Sequence, residues 1–168
     1  MFKSIDQFID TWQHEIQFTH NVLAGLTDES LSQEVDPGGR TLGRLGWHLT
    51  QTMPEMLHRT GLVGVEGPDE AEMPPAAAAA ITASYDAAAQ SLLDQVKTNW
   101  TDATLNEVDE MYGEKWKKSD TLMVLVMHQA HHRGQMTVLM RQAGLRVPSF
   151  YGPAREDWAQ WGMPVPTV

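Results

Sequence analysis

Apolar side chains recur every three or four positions along four long stretches of the chain, with polar side chains between them. This spacing places the apolar side chains on one face of an α-helix, where they can pack against other helices. The four predicted helices cover residues 4–26, 41–60, 74–97 and 120–143. Since each has roughly the length of a helix in a bundle, we predict an all-α fold, a four-helix bundle.

Residues that favour helix ends support these boundaries. Ser4, Thr41 and Ser119 are predicted N-caps, because a hydroxyl oxygen at this position can accept a hydrogen bond from the first turn. Gly61 and Gly144 are predicted to end the second and fourth helices.

The connections between the predicted helices are rich in residues that favour turns. Residues 27–40 form a predicted loop with one helical turn near Leu31, and residues 62–70 form a predicted surface loop. Residues 100–118 show no apolar period, and we interpret them as an irregular connection that covers one end of the bundle. Pro54 lies inside the second predicted helix, where it predicts a kink or a break.

Residues 145–168 form a predicted tail that contains four prolines and a short helix at 154–161. We expect its aromatic side chains to pack on the bundle or on a partner subunit. The whole chain, 1–168, is predicted to be one domain, because its length suits a single hydrophobic core.

The charge of the chain argues against two classes of partner. Twelve Lys and Arg residues stand against 22 Asp and Glu residues, which gives a formal net charge of −10. Because this charge repels phosphate backbones and anionic lipid surfaces, we expect no nucleic acid and no membrane as partners. No apolar run resembles a signal peptide or a membrane span, so a cytoplasmic location is expected.

Histidines on the predicted core faces are candidate metal ligands, the more so because the chain has no cysteine. His128 and His132 are four positions apart, which places both imidazoles on one face of the fourth helix. His48 lies in the apolar stripe of the second helix. If the helices alternate in direction along the chain, the second and fourth lie across a diagonal, and the three histidines come to similar heights. Such a site leaves room for water or substrate on the metal, as in catalytic zinc sites.

Hydrogen-bonded core histidines remain the alternative for all three, since the spacing allows a metal site without requiring it. His131 is rotated away from the pair and is expected on the surface or in a subunit contact. His20 continues the apolar stripe of the first helix and is a candidate for the second coordination shell or for an extra ligand. Arg133 and Gln135 could orient ligands or substrate, or could serve helix packing.

Two stretches resemble a known family. The sequence His-Gln-Ala-His-His-Arg-Gly-Gln at 128–135, followed by Leu-Met-Arg-Gln-Ala-Gly at 139–144, is similar to the last-helix signature of the DinB/YfiT-like family of metal-dependent bundle proteins. Residues 41–49, Thr-Leu-Gly-Arg-Leu-Gly-Trp-His-Leu, resemble its second-helix pattern. The resemblance implies a variant of the up-and-down bundle, often a homodimer. It also implies a divalent metal, zinc or nickel, bound by His48, His128 and His132.

The resemblance leaves the reaction open, because relatives include transferases that use bacillithiol or mycothiol, a maleylpyruvate isomerase and amide hydrolases. Our first hypothesis is a metal-dependent S-transferase that joins a low-molecular-weight thiol to a small-molecule electrophile held near Trp116 and Trp158. The alternatives are a metal-dependent amide or ester hydrolase and a stress-associated protein that binds metal without catalysis. In either enzyme the nucleophile would be a metal-bound water or thiolate, and no catalytic side chain is identified.

Overall fold

The structure, a computed structural model, describes residues 1–165 and 167, and it confirms the predicted four-helix bundle. A small hairpin, absent from the prediction, precedes the last helix. The helices are α1 (Ile5–Ala24), α2 (Leu42–Arg59), α3 (Ala78–Asn99) and α4 (Lys118–Gln142), and the strands are β1 (Val108–Met111) and β2 (Glu114–Lys117). Short 3-10 turns lie at Glu29–Ser32, Thr104–Asn106 and Trp158–Trp161.

Two of the three predicted N-caps are confirmed. Ser4 Oγ and Thr41 Oγ1 each accept a hydrogen bond, at 3.2 Å, from the backbone N–H three residues ahead. The prediction for Ser119 is wrong, because α4 begins at Lys118 and Ser119 is buried in its first turn. There the Asp120 carboxylate accepts from the backbone N–H of Lys117, at 3.3 Å, which satisfies a donor that the helix leaves free.

Helices α2 and α3 also differ from their predictions. Helix α2 runs through Pro54 as one helix, so the predicted division into two pieces does not occur. A proline removes a single hydrogen bond, and most residues around it in α2 are buried in the core, whose packing maintains the helix. Helix α3 begins at Ala78 rather than at residue 74, and the Ala78 N–H donates to Asp28 Oδ1 at 2.7 Å.

The expectation of an irregular segment at 100–118 is wrong. Strands β1 and β2 pair in antiparallel register, with Val108 opposite Lys117 and Met111 opposite Glu114. Tyr112 and Gly113 make the turn with φ values of 53° and 85°, and positive φ at both central residues is the mark of a type I′ hairpin. The hairpin escapes prediction because its four-residue strands are mostly charged and do not alternate apolar with polar residues.

The order of the helices around the bundle brings α2 and α4 together. Helix α1 packs against α3 and α4, and α2 packs against the same two helices. Helices α2 and α4 are therefore direct neighbours, not partners across a diagonal as sequential up-and-down order would place them. Residues at the middle of α2 and of α4 can consequently share one site.

A buried polar cluster connects α4 to α1 and to the tail. The Arg133 guanidinium is fully buried, where it donates to Thr19 Oγ1 at 2.8 Å and pairs with the Glu15 carboxylate. Tyr151 of the tail accepts from Arg133 at 2.6 Å and donates to Glu15 at 2.7 Å. Its ring also packs edge-on against Phe18, with 5.2 Å between centroids. This part of the tail thus lies on the bundle.

The predicted tail helix at 154–161 is reduced to the 3-10 turn at its end, and Pro166 and Val168 lie outside the described residues. Among the helices described, none is both long enough and apolar enough to cross a membrane.

Candidate metal centre

The three predicted ligand histidines meet between α2 and α4. His48 lies near the middle of α2, and His128 and His132 lie one turn apart near the middle of α4. Buried leucines one or three positions away on the same stripes, Leu45, Leu49 and Leu125, hold the two helices together at this level. Helix packing therefore fixes the three imidazoles before any ligand binds.

The geometry of the cluster suits a metal ion. His128 Nε2 lies 3.3 Å from His48 Nε2 and 3.0 Å from His132 Nε2. All three candidate ligand atoms lie within 4.8 Å of one another. Two imidazole nitrogens on a tetrahedral zinc, each bonded at about 2.0–2.1 Å, are separated by about 3.3 Å. The donor set and its spacing thus fit a divalent ion of the kind that imidazole ligands prefer.

A hydrogen bond at the far side of the His132 ring turns its Nε2 towards the cluster. Gln135 Oε1 can only accept, so its 2.6 Å contact with His132 Nδ1 places the proton on Nδ1 and leaves a lone pair on Nε2. Within the described part of the chain, the buried Nδ1 of His128 has no hydrogen-bond partner. The polar contacts of the His128 ring therefore all run through Nε2, towards the other two histidines.

Burial also keeps the cluster uncharged. Loss of solvation lowers the pKa of His48 to about 3, and the positive charge of Arg40 adds to this effect. Loss of solvation is the main reason why the pKa of His128 is lowered to about 4, and repulsion from His132 in its protonated form is the second. The pKa of His132 is lowered as well, mainly by burial. The three imidazoles are therefore neutral near pH 7, the state in which histidine binds metal.

Two clefts reach the cluster. The first, which we call the arginine cleft, has a volume of about 520 Å³ and contains His48 and His128 in its wall. The second, the apolar cleft, has a volume of about 500 Å³ and contains His132. Side chains that line the arginine cleft include Arg40, Arg44, Gln51, Glu55, Arg59 and Tyr112. Those of the apolar cleft include Val35, Leu45, Val138 and Leu139, together with Asp36, His131 and Gln135. Arg40 lines both clefts.

The structure places the other candidate residues at different points. Gln135 contacts a cluster histidine, as described above. His20 instead pairs with the Asp86 carboxylate on α3 at 2.9 Å, and Arg133 belongs to the buried polar cluster with Glu15. His131 is exposed, with its ring centroid 4.9 Å from that of His132. Of these four residues, only Gln135 hydrogen-bonds to a histidine of the cluster. Arg133 serves helix packing, the alternative that the sequence left open for it.

Sequence reasoning missed the residues that shape the clefts. Trp116 and Trp158 were expected to cover the substrate, but neither lines the arginine cleft or the apolar cleft. Tyr112 of the hairpin does, and its hydroxyl group donates to Glu55 Oε2 of α2 at 2.6 Å. A signal existed for Arg44, which precedes His48 by four positions and so lies on the same helix face.

The chain is similar to proteins of one known family. The model of the DinB family matches residues 1–163. The uncharacterized protein YrdA of Bacillus subtilis (strain 168) is 43% identical over 168 residues, which cover all of both chains. A crystal structure of a DinB-like protein from Bacillus cereus ATCC 10987 is 42% identical, with a TM-score of 0.86 over 90% of this chain and 100% of that one.

A second crystal structure shares the fold at low identity. It is that of the DinB-like protein YjoA from Bacillus subtilis, 13% identical, with a TM-score of 0.68 over 88% of this chain and 99% of that one. The match of the family model over nearly the whole chain, together with two relatives above 40% identity, identifies the family. The chain belongs to the DinB family.

Proposed function

We propose that the protein is a divalent-metal-dependent enzyme that transfers a small thiol to an electrophile, with zinc or nickel held by His48, His128 and His132. The observation that carries this proposal is the convergence of three neutral imidazoles at a point that two clefts reach. Imidazole ligands suit both metals. A three-ligand site keeps positions open for a reactant, as catalytic zinc sites do.

The metal and the residues that line the clefts would have different roles in the reaction. A bound divalent ion would supply Lewis acidity, which lowers the pKa of a coordinated thiol or water. The protein supplies position: the arginine cleft accommodates a polar reactant, and the apolar cleft, lined by Leu45, Val138 and Leu139, accommodates an apolar one. Holding two reactants beside one centre converts a bimolecular step into an effectively unimolecular one. Two separate clefts therefore favour a two-substrate transfer.

The transfer balances without an oxidant or reductant. The thiol sulfur forms a bond to the electrophilic carbon, and the bond from that carbon to its leaving group breaks. The leaving group takes the electron pair, and the thiol proton passes to it or to water. With an epoxide, the carbon–oxygen bond of the ring breaks and the oxygen takes the proton.

Hydrolysis of an amide or ester is the alternative reaction considered in the sequence analysis. It requires a group that accepts a proton from the attacking water. Two carboxylates line the arginine cleft. The two oxygens of Glu55 already accept from Arg59 and from Tyr112, and Glu70 is exposed to solvent. The geometry thus offers less support for hydrolysis than for transfer, and product analysis with and without added thiol separates the two.

The test uses metal-loaded protein with a panel of cellular thiols, including cysteine, coenzyme A and bacillithiol, against epoxides and alkyl halides. Mass spectrometry should detect thioether products with wild type and with the matched control His14→Ala, which is exposed and lines neither cleft, and none above background with His48→Ala. A fully metal-loaded wild-type protein that forms no conjugate with any pair would refute the transferase proposal. If metal raised only the melting temperature, the role of the site would be non-catalytic, since a ligand that binds the native state alone stabilises it.

A further inference from the structure

The arginine cleft contains two arginines that form no ion pair with a carboxylate in the described part of the chain. The chain has seven arginines. Five of them form ion pairs with carboxylates: Arg59, Arg133, Arg141, Arg146 and Arg155. Within residues 1–165 and 167, the two arginines without such a pair are Arg40 and Arg44, and both line the arginine cleft. In a chain with 22 acidic residues and a net charge of −10, this concentration at one cleft calls for a physical explanation.

Arg44 is held in place by uncharged groups. It is half-buried, and its Nη1 donates to Gln51 Oε1 at 3.2 Å and to the Glu72 carbonyl oxygen at 3.4 Å. Gln51 is itself anchored, since its amide donates to the Asp69 carbonyl oxygen at 2.5 Å. These contacts fix the direction of the guanidinium group without cancelling its charge. A guanidinium group so prepared loses little conformational entropy when it binds an anion.

Arg40 lies beside the histidine cluster at the end of the loop before α2. It lines both clefts, and its charge contributes to the lowered pKa of His48, His128 and His132. Its side chain is exposed, so it can reorient towards a ligand. The two unpaired guanidinium groups therefore approach the cluster from the loop and from the helix, four residues apart in the chain.

The acidic side chains of the same cleft offset only part of this charge. Glu55 is paired with Arg59, and its other oxygen accepts from Tyr112. Glu70 also lines the cleft, so that three arginines, Arg40, Arg44 and Arg59, stand against two glutamates. The histidines are neutral, so the cleft keeps a formal charge of 3 − 2 = +1.

We propose that the arginine cleft binds a small organic anion, with its carboxylate on Arg40 and Arg44 and its other end directed at the three histidines. Guanidinium groups match carboxylates in charge and in planar hydrogen-bond geometry. If this anion is a reactant, which rests on the proposed function, either the thiol or the electrophile carries a carboxylate. The binding site itself does not depend on that function.

Isothermal titration calorimetry with two probes of equal shape tests the proposal. Succinate carries carboxylates, and succinamide carries neutral amides in their place. Each is titrated into zinc-saturated and metal-free protein, for wild type, for R40Q/R44Q and for the control R141Q/R155Q, which removes the same charge outside both clefts. Charge-assisted hydrogen bonds should make succinate bind at least about tenfold more tightly than succinamide in wild type and control.

The double variant R40Q/R44Q should lose this preference while its zinc content stays the same. Should it prove unstable, R40Q alone, at an exposed position, should still show a partial loss. Equal binding of the two probes to wild type, or binding of neither, would overturn the proposal. A preference for succinate that survives in R40Q/R44Q would also overturn the proposal. So would a preference that is lost in the metal-free wild type, because the metal, and not the arginines, would then hold the carboxylate. Neither probe contains a thiol, so a failed transferase assay beside an intact preference would refute the proposed function alone.

Discussion

The Nε2 atoms of His48 and His128 lie 3.3 Å apart, although 80 positions separate the two residues in the chain. Direct packing of α2 on α4 produces this contact, and His132 joins it one turn further along α4. Three imidazole nitrogens within 4.8 Å of one another can serve as ligands of one divalent ion.

Gln135 is expected to control metal affinity through His132. Its Oε1 accepts from His132 Nδ1 at 2.6 Å, and loss of such a contact typically weakens metal binding by about 10–100-fold. Competition titration with a zinc chelator should show a loss of this size for Gln135→Ala. The Gln135→Glu variant, which keeps an acceptor, should restore affinity. The exposed control Gln90→Ala, on α3, should leave affinity unchanged, and an unaltered affinity in Gln135→Ala would contradict the assigned role.

The buried pair of Arg133 and Glu15 is expected to be sensitive to loss of one partner. Glu15→Ala leaves the fully buried guanidinium without its counter-charge, which should lower the free energy of unfolding by about 3–5 kcal/mol in urea denaturation. Replacing both residues by Met should cost less, because no buried charge then remains. As a comparison, Glu156→Gln removes the exposed pair with Arg141 and should cost less than about 1 kcal/mol. Equal effects of the two single substitutions would show that burial does not matter here.

Replacing two helical glycines by alanine should change the free energy of unfolding in opposite directions. A Cβ atom on Gly46 of α2 would lie 2.9 Å from Leu23 Cδ2 and 3.3 Å from Ile81 Cγ2, so Gly46→Ala should destabilise the bundle by about 1–3 kcal/mol. Gly134 of α4 has no atom within 4 Å of such a Cβ, and Gly134→Ala should gain about 0.5–1 kcal/mol from helix propensity. Thermal unfolding of both variants measures this, and a stabilising Gly46→Ala would contradict the close packing of α1, α2 and α3.

The histidine cluster should make the metal-free protein sensitive to acid. Native His48 and His128 have pKa values of about 3 and about 4, whereas the ordinary value, expected in the unfolded chain, is 6.5. Between these values the unfolded chain binds protons that the native state does not. The free energy of unfolding should therefore fall as the pH is lowered from 6.5 towards 4, and the contribution should be constant above pH 7.

The variant H48Q/H128Q isolates this effect from the titration of carboxylates. Urea denaturation of the metal-free proteins at pH 7 and at pH 4.5 should show a smaller loss of stability for the variant than for wild type. Equal losses would mean that the two histidines titrate alike in the native and unfolded states.

The local part of the site could be read from the sequence. Helical geometry pairs His128 with His132 at a spacing of four, and the apolar stripe of α2 includes His48. The family resemblance named the same three residues, and the family and the bundle are confirmed. The homodimer, the cytoplasmic location and the single domain over 1–168 stay predictions.

The parts that depend on distant contacts could not be read in this way. Helices α2 and α4 are neighbours because of the way all four helices pack. A sequential up-and-down order would instead place them across a diagonal. Arg40 reaches the cluster from a loop whose course no periodic pattern encodes, and Tyr112 reaches the arginine cleft from a hairpin with little strand signal. His20 followed an apolar stripe, but Asp86 on α3 lies close enough to pair with it.

The central claim is that His48, His128 and His132 hold a divalent metal ion. Elemental analysis of protein purified without an affinity tag tests it most directly. Wild type, His131→Ala and His20→Ala should each contain about one metal ion per chain, because neither substituted residue belongs to the cluster. His48→Ala, His128→Ala and His132→Ala should lose most of that metal, since each removes one of three ligands. A wild-type protein that takes up no stoichiometric metal, or a His48→Ala variant with the same content as wild type, would contradict the account.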